Sequence, residues 1–174
     1  HGISRDAFDR FTAKKPSWYY EIVAPGFKYN MTDIAASIGI CQLKKVRTFQ
    51  QKRERIARMY DEAFADLPVV LPPKPKGGDT HAWHLYVIRL GNDVQMTRNE
   101  FIERLFALGI GCSVHYIPLH EHPYWKLMYG LRPEMFPVSQ SVYERCVSLP
   151  IYSRMTDADV ERVVDAVKRS LNHA

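Results

Sequence analysis

With 174 residues, 46% of them hydrophobic and 12% aromatic, the chain can bury one sizeable core, which predicts a single compact domain plus an N-terminal arm. The net charge of +5 raises nucleic acid as a partner, while three cysteines, Cys41, Cys112 and Cys146, fit no metal or redox spacing and leave one thiol over in any disulfide scheme. No uncharged apolar run approaches a membrane span, and the first residues are charged where a signal peptide needs an apolar core, so the reading is a soluble chain in a reducing cytoplasm.

In chain order, the first strong signal is Gly26 to Gln42, GFKYNMTDIAASIGICQ, a polar loop set directly against a helix start. Thr32 can cap the first amides, and Ile34, Ile38 and Cys41 recur at helical spacing. Lys28 and Asn30 then stand beside a helix N-terminus, a combination that suits a phosphate or carboxylate, although an ordinary capped helix uses the same residues. From Lys44 to Arg58, seven basic residues (Lys44, Lys45, Arg47, Lys52, Arg53, Arg55, Arg58) face one acid, Glu54, and without this stretch the chain is close to neutral. Val46, Phe49, Ile56, Tyr60, Ala63, Phe64 and Leu67 share that stretch at three- and four-residue spacing, which predicts a long amphipathic helix with a basic solvent face. No aromatic-rich sheet motif or zinc finger accompanies it, so a solvated face is preferred to a nucleic-acid groove.

Pro68 to Asp79 is a stiff connector, and His84 to Leu90 alternates as a strand does. Thr97 to Glu100 is a capping box opening a helix with Phe101, Ile102, Leu105 and Phe106 inward, stopping at Gly109. A second strand is predicted from Gly111 to Tyr116, then a loop with a short aromatic helix from Pro118 to Tyr129, a helix capped by Ser139 and ending near Cys146, and a strand at Val147 to Leu149. Thr156 to Asp159 caps a terminal helix with Val160, Val163, Val164 and Val167 on one face. These elements give an α/β chain with a small antiparallel or mixed sheet covered by helices: an arm and loop over 1–31, a helical segment over 32–67 and a small α/β domain over 68–174.

The histidines divide into two groups. His81 and His84, on a predicted strand, project to opposite faces and cannot easily share a metal, so no metal ligand is assigned. His115 beside Tyr116 is either a core histidine with one satisfied nitrogen or a hydrogen-bond donor to a ligand. Cys112 and His115, three apart on a predicted strand, project oppositely, which disfavours a nucleophile and its base.

The loop-helix element, with His1-Gly2-Ile3, Trp18-Tyr19-Tyr20, His81 to Tyr86, Val114-His115-Tyr116 and Ser148 to Tyr152, resembles the DegT/StrS-type sugar aminotransferases over essentially the whole chain. Many enzymes of that family read Asn and Arg where this chain has Lys28 and Asn30; the Lys-Tyr-Asn version with His81-Ala82-Trp83-His84-Leu85 is most similar to the branch that aminates UDP-4-keto-pentoses for lipid A modification, or to close relatives of it. The resemblance implies the C-terminal part of a fold type I pyridoxal-phosphate aminotransferase, moving an amino group from glutamate to a nucleotide-linked keto-sugar. It also implies a homodimer with active sites shared across the interface, and no nucleic-acid or membrane partner. Carried over residue by residue, it gives the cofactor phosphate to Lys28 or Asn30, the swap leaving open which of the two touches it, and Tyr19, Tyr20, His115 and Tyr116 to the substrate. The family's Schiff-base lysine precedes its His-Gly-Ile element, so catalytic residues are expected upstream of His1 and this portion alone is expected not to transaminate. Two rival classes stand beside this reading: a basic module for nucleic acid or anionic surfaces, and a metal-dependent hydrolase.

Overall fold

The structure, a computed structural model, describes residues 2–4 and 21–172, arranged in two compact units, His1–Lys44 and Lys45–Ala174. The first unit joins its two described strips by an antiparallel bridge between Ile3 and Ile22, with the Ser4 N–H donating to Glu21 O at 2.8 Å and the Val23 N–H to Gly2 O at 2.8 Å. Gly2 has φ +69°, and a Cβ there would stand 1.9 Å from Ala24 O, so only glycine lets the two strips approach. After an extended run to Met31, helix α1 spans Asp33–Leu43. Thr32 Oγ1 accepts from Ala35 N–H at 3.3 Å, as its position predicts. None of the helix's residues is buried, and Ile34, Ile38, Ile40 and Leu43 all lie exposed.

The second unit holds the core. Helix α2 (Val46–Phe64) buries Ile56, Ala57, Tyr60 and Phe64 on one stripe and leaves most of its basic residues exposed. The helical segment expected over 32–67 holds two helices, α1 and α2, separated by a turn at Lys44 and Lys45. Strand β1 (Val69–Val70), inside the expected connector, pairs antiparallel with β2 (Tyr86–Leu90), and β2 pairs antiparallel with β3 (Cys146–Leu149), giving the order β1-β2-β3. Gly91 N–H donates to Pro68 O at 2.8 Å, and a Cβ on Gly91 would lie 2.8 Å from that oxygen, so the β1-to-β2 crossing needs a glycine.

Tyr86 lies opposite Leu149 and Ile88 opposite Val147, and these four point into the core with Leu90. Helix α3 (Arg98–Ala107) adds Phe101 and Leu105, and helix α6 (Asp157–Asn172) adds Val160, Val163 and Val167; both pack over this face, α6 against α2 and α3. The core aromatics are hydrogen-bonded where they are polar: Tyr60 Oη donates to Pro150 O at 2.8 Å and Tyr86 Oη to Asp61 Oδ1 at 2.6 Å. Burial raises both phenol pKa values well above the ordinary 10.0. On α3, Ile102 is half-buried and Phe106 is 77% exposed, so the inward stripe is narrower than the pattern predicts.

Both capping boxes form. The Thr97 N–H donates to Glu100 Oε2 at 2.7 Å and the Thr156 N–H to Asp159 Oδ2 at 2.9 Å, with both threonine hydroxyls engaged in return. These hydrogen bonds from Thr97 and Thr156, backbone first, hold the two carboxyls below their ordinary values.

Between α3 and β3 the chain departs most from expectation. The strand predicted from Gly111 to Tyr116 is reduced to one bridge, Ser113 opposite Ser148, because the chain turns away toward Pro118 directly after it. Helix α4 (Pro123–Tyr129) is the expected short aromatic helix, stopped by Gly130 at φ +61°. Helix α5 (Pro137–Arg145) begins two residues before Ser139: Pro137 takes its first position, no side chain caps it, and Ser139 is not the cap.

Candidate functional site

Two groups of candidate residues fall in separate units. In the first unit, Lys28 lies exposed on the extended run ahead of α1. The helix end contributes less to an anion site than the sequence suggests, since the Thr32 hydroxyl already occupies the Ala35 N–H and Asp33 places a carboxylate in the first turn. The positive charge for an anion therefore rests on Lys28, with Asn30 two residues on as a neutral donor or acceptor. Tyr19 and Tyr20 lie outside the described residues.

In the second unit, β3 does the positioning. All four of its residues are buried, so each face of the strand is covered. Val147 and Leu149 turn into the core; Ser148, opposite Val87 on the central strand, turns to the other side. There it exchanges backbone hydrogen bonds with Ser113, 2.8 and 3.2 Å, and its hydroxyl lies 2.8 Å from His115 Nδ1. The His115 ring meets the edge of the Tyr116 ring at 4.8 Å between centroids. Tyr116 itself is 75% exposed and, with Pro118, Phe136, Val138, Val142 and Tyr143, lines an open apolar hollow of about 540 Å³.

His115 is thus partnered on one nitrogen, and its partner is Ser148 rather than Cys112. The Cys112 thiol is pushed up to about 11 by burial, the direction opposite to nucleophile activation. His120, further along, is buried, stacked on Phe136 and bonded through Nε2 to Gln140 Oε1 at 2.8 Å. It serves the packing of the hollow's wall. His81 and His84 precede β2 instead of alternating along it, and His81 Nδ1 accepts the Trp83 N–H at 2.9 Å. Among the described residues no three His, Cys, Asp or Glu side chains cluster as a metal site would need. None of the described helices is long and apolar enough to cross a membrane.

Sequence reasoning passed over Ser148 and the Phe136–Val142 wall. For Ser148 a signal existed: one hydroxyl inside the apolar run Cys146 to Leu149, where a strand covered on both faces demands a partner. For the wall none did, because it is assembled from residues 20 to 26 positions beyond Tyr116.

Comparison with known proteins gives a consistent picture. The sequence model of the DegT/DnrJ/EryC1/StrS aminotransferase family matches residues 1–168. The chain is 51% identical over 170 residues to uncharacterized protein MJ1066 of Methanocaldococcus jannaschii, covering 97% of this chain and 44% of that one. It is 41% identical over 170 residues to spore coat polysaccharide biosynthesis protein SpsC of Bacillus subtilis, covering 97% and 43%. The chain therefore spans less than half the length of these curated relatives. Among solved structures, the putative sugar aminotransferase Spr1654 of Streptococcus pneumoniae in its PMP form superposes with a TM-score of 0.81 at 30% identity, over 99% of this chain and 43% of that one; its PLP form also matches, at 0.78.

Proposed function

This chain belongs to the DegT/DnrJ/EryC1/StrS aminotransferase family, and we propose that it works as part of a pyridoxal-phosphate enzyme that transfers an amino group from glutamate to a nucleotide-linked keto-sugar destined for a cell-surface polysaccharide. The observation that carries the reading is the family match over residues 1–168; the relatives named for sugar amination and spore coat polysaccharide support the substrate class. The Lys28-Tyr29-Asn30 and His81 to Leu85 sequences support, within the family, the branch that aminates UDP-4-keto-pentoses.

The donor set of the first unit fits a phosphate. Lys28 offers an exposed ammonium and Asn30 an amide, while the α1 terminus is already capped, so Lys28 supplies the charge and Asn30 orients the loop. When bound, the cofactor supplies the electron sink that carries the amino group. None of the described residues of this unit is buried, which supports a loop that reaches a neighbouring subunit's site in a homodimer. On the substrate side, His115 donates from its free nitrogen to sugar or phosphate oxygens, and the exposed Tyr116 offers a phenol at the edge of an apolar hollow. Tyr19 and Tyr20 are assigned to the same side by resemblance. Incubating the full-length protein with glutamate and a set of UDP- and dTDP-linked keto-sugars tests the reading: formation of 2-oxoglutarate with an equimolar amino-sugar nucleotide supports it, and 2-oxoglutarate formed only with simple 2-oxo acids as acceptors refutes it.

A further inference from the structure

We propose that Ser148 is a positioning residue that holds neutral His115 as an Nε2–H donor, so that this histidine binds an oxygen-rich ligand and does not serve as a general base there. The assignment of a ligand to His115 rests on the functional reading above; the tautomer rests on the structure alone. Ser148 is only 5% exposed, and its backbone is paired on both sides, with β2 and with Ser113. The one hydrogen-bond partner of the Ser148 hydroxyl among the described residues is His115 Nδ1, at 2.8 Å. If Nδ1 carried the proton, Ser148 Oγ would accept it and the hydroxyl's own hydrogen would be left without an acceptor in a buried place, the costly arrangement. With Ser148 donating, both the hydroxyl hydrogen and Nδ1 are satisfied. The proton of the neutral ring then sits on Nε2, which has no partner among the described residues and is not sealed from solvent. A ring fixed in this way presents a donor to a carbonyl, hydroxyl or phosphate oxygen and cannot take up a proton at Nε2.

The strand explains why the pair is rigid. Ser148 is held by both neighbours, opposite Val87 on one side and Ser113 on the other, and a single residue, Val114, separates Ser113 from His115 in sequence. The same bridge thus aligns the hydroxyl and brings the imidazole to it.

The test uses the full-length protein labelled with 15N in its imidazoles, at a pH where those rings are neutral, with His115→Gln identifying the resonance. The proposal predicts an unprotonated Nδ1 and a protonated Nε2 for His115, and a shift of the Nδ1 signal in Ser148→Ala. A protonated Nδ1, or an Nδ1 signal unmoved by Ser148→Ala, overturns it. A double-mutant cycle on the sugar half-reaction adds a second readout. Ser148→Ala should raise KM for the nucleotide-sugar about fivefold, the worth of one ordinary hydrogen bond, and should add nothing in a His115→Ala background; an equal added loss there means Ser148 serves only the fold. Should Ser148→Ala prove too unstable, Ser148→Cys retains a weak donor and should give a smaller rise in KM and a smaller Nδ1 shift. An unchanged sugar half-reaction in His115→Ala together with the predicted tautomer upholds the Ser148 contact and removes His115 from the substrate side.

Discussion

Helices α1 and α2 are near neighbours in sequence and opposite in design. Helix α1, DIAASIGICQL, is apolar almost all round and buries nothing; α2 is rich in charge and buries four residues, among them Tyr60 and Phe64, which are fully enclosed. The difference is periodicity against composition. A segregated stripe can close a core within its own unit, whereas a helix apolar on every side has no solvent face and reaches its stable state only when covered from without. The second unit closes a core of its own, while none of the described residues of the first is buried.

The widest separation between the two should appear in their core positions. Phe64→Ala empties a fully buried site beside Tyr60 and should destabilise the 174-residue chain by about 3–5 kcal/mol in urea unfolding, while Ile38→Ala on exposed α1 should change it by less than about 0.5 kcal/mol. In the full-length protein Ile38→Ala should become costly, by about 2 kcal/mol or more, if α1 is covered there; an equally small cost in both forms would end the comparison. Gly91→Ala sharpens it from the backbone side. The added methyl meets Pro68 O, and a loss of about 1–3 kcal/mol is predicted, whereas Gly39→Ala on α1, which meets nothing, should be neutral or stabilising.

The smallest effect is electrostatic and confined to the second unit. The carboxyls of Glu100 and Asp159 sit below their ordinary values of 4.5 and 3.8, so the stability they lend is fully present above those values and is lost as pH falls through the lowered folded-state values. A Glu100→Gln, Asp159→Asn variant should show a shallower fall in Tm on the acid side, with little difference from the parent's slope above pH of about 6.

Much of this was legible in the sequence wherever a residue acts on its own neighbourhood. Thr32, both capping boxes, the α2 stripe from Ile56 to Phe64 and the β2 alternation depend on spacings of two to four residues, and each forms as predicted, whereas Val46 at the start of α2 lies exposed and Leu67 falls beyond its end. What depends on distant chain was not legible. The run after Gly111 has strand-like residues yet forms only the Ser113 bridge, because the turn toward Pro118 ends its pairing with β3. Ser139 has a cap's chemistry, but Pro137 fixes the start of α5 earlier. The site divides in the same way: His115 and Tyr116 could be singled out as neighbours, while the hydroxyl that fixes the imidazole comes from 33 residues further on.

The central claim, that Lys28 serves a bound phosphate and His115 a sugar nucleotide, is tested most directly by stopped-flow measurement of the two half-reactions in the full-length enzyme. Lys28→Ala should weaken cofactor retention by roughly one to two orders of magnitude, the worth of a charge-assisted hydrogen bond of about 1.5–3 kcal/mol, and depress both half-reactions at limiting cofactor. His115→Ala should raise the apparent Michaelis constant for the nucleotide-sugar and leave the half-reaction with glutamate nearly intact. Equal losses in both halves for His115→Ala, or full cofactor retention in Lys28→Ala, would contradict the account.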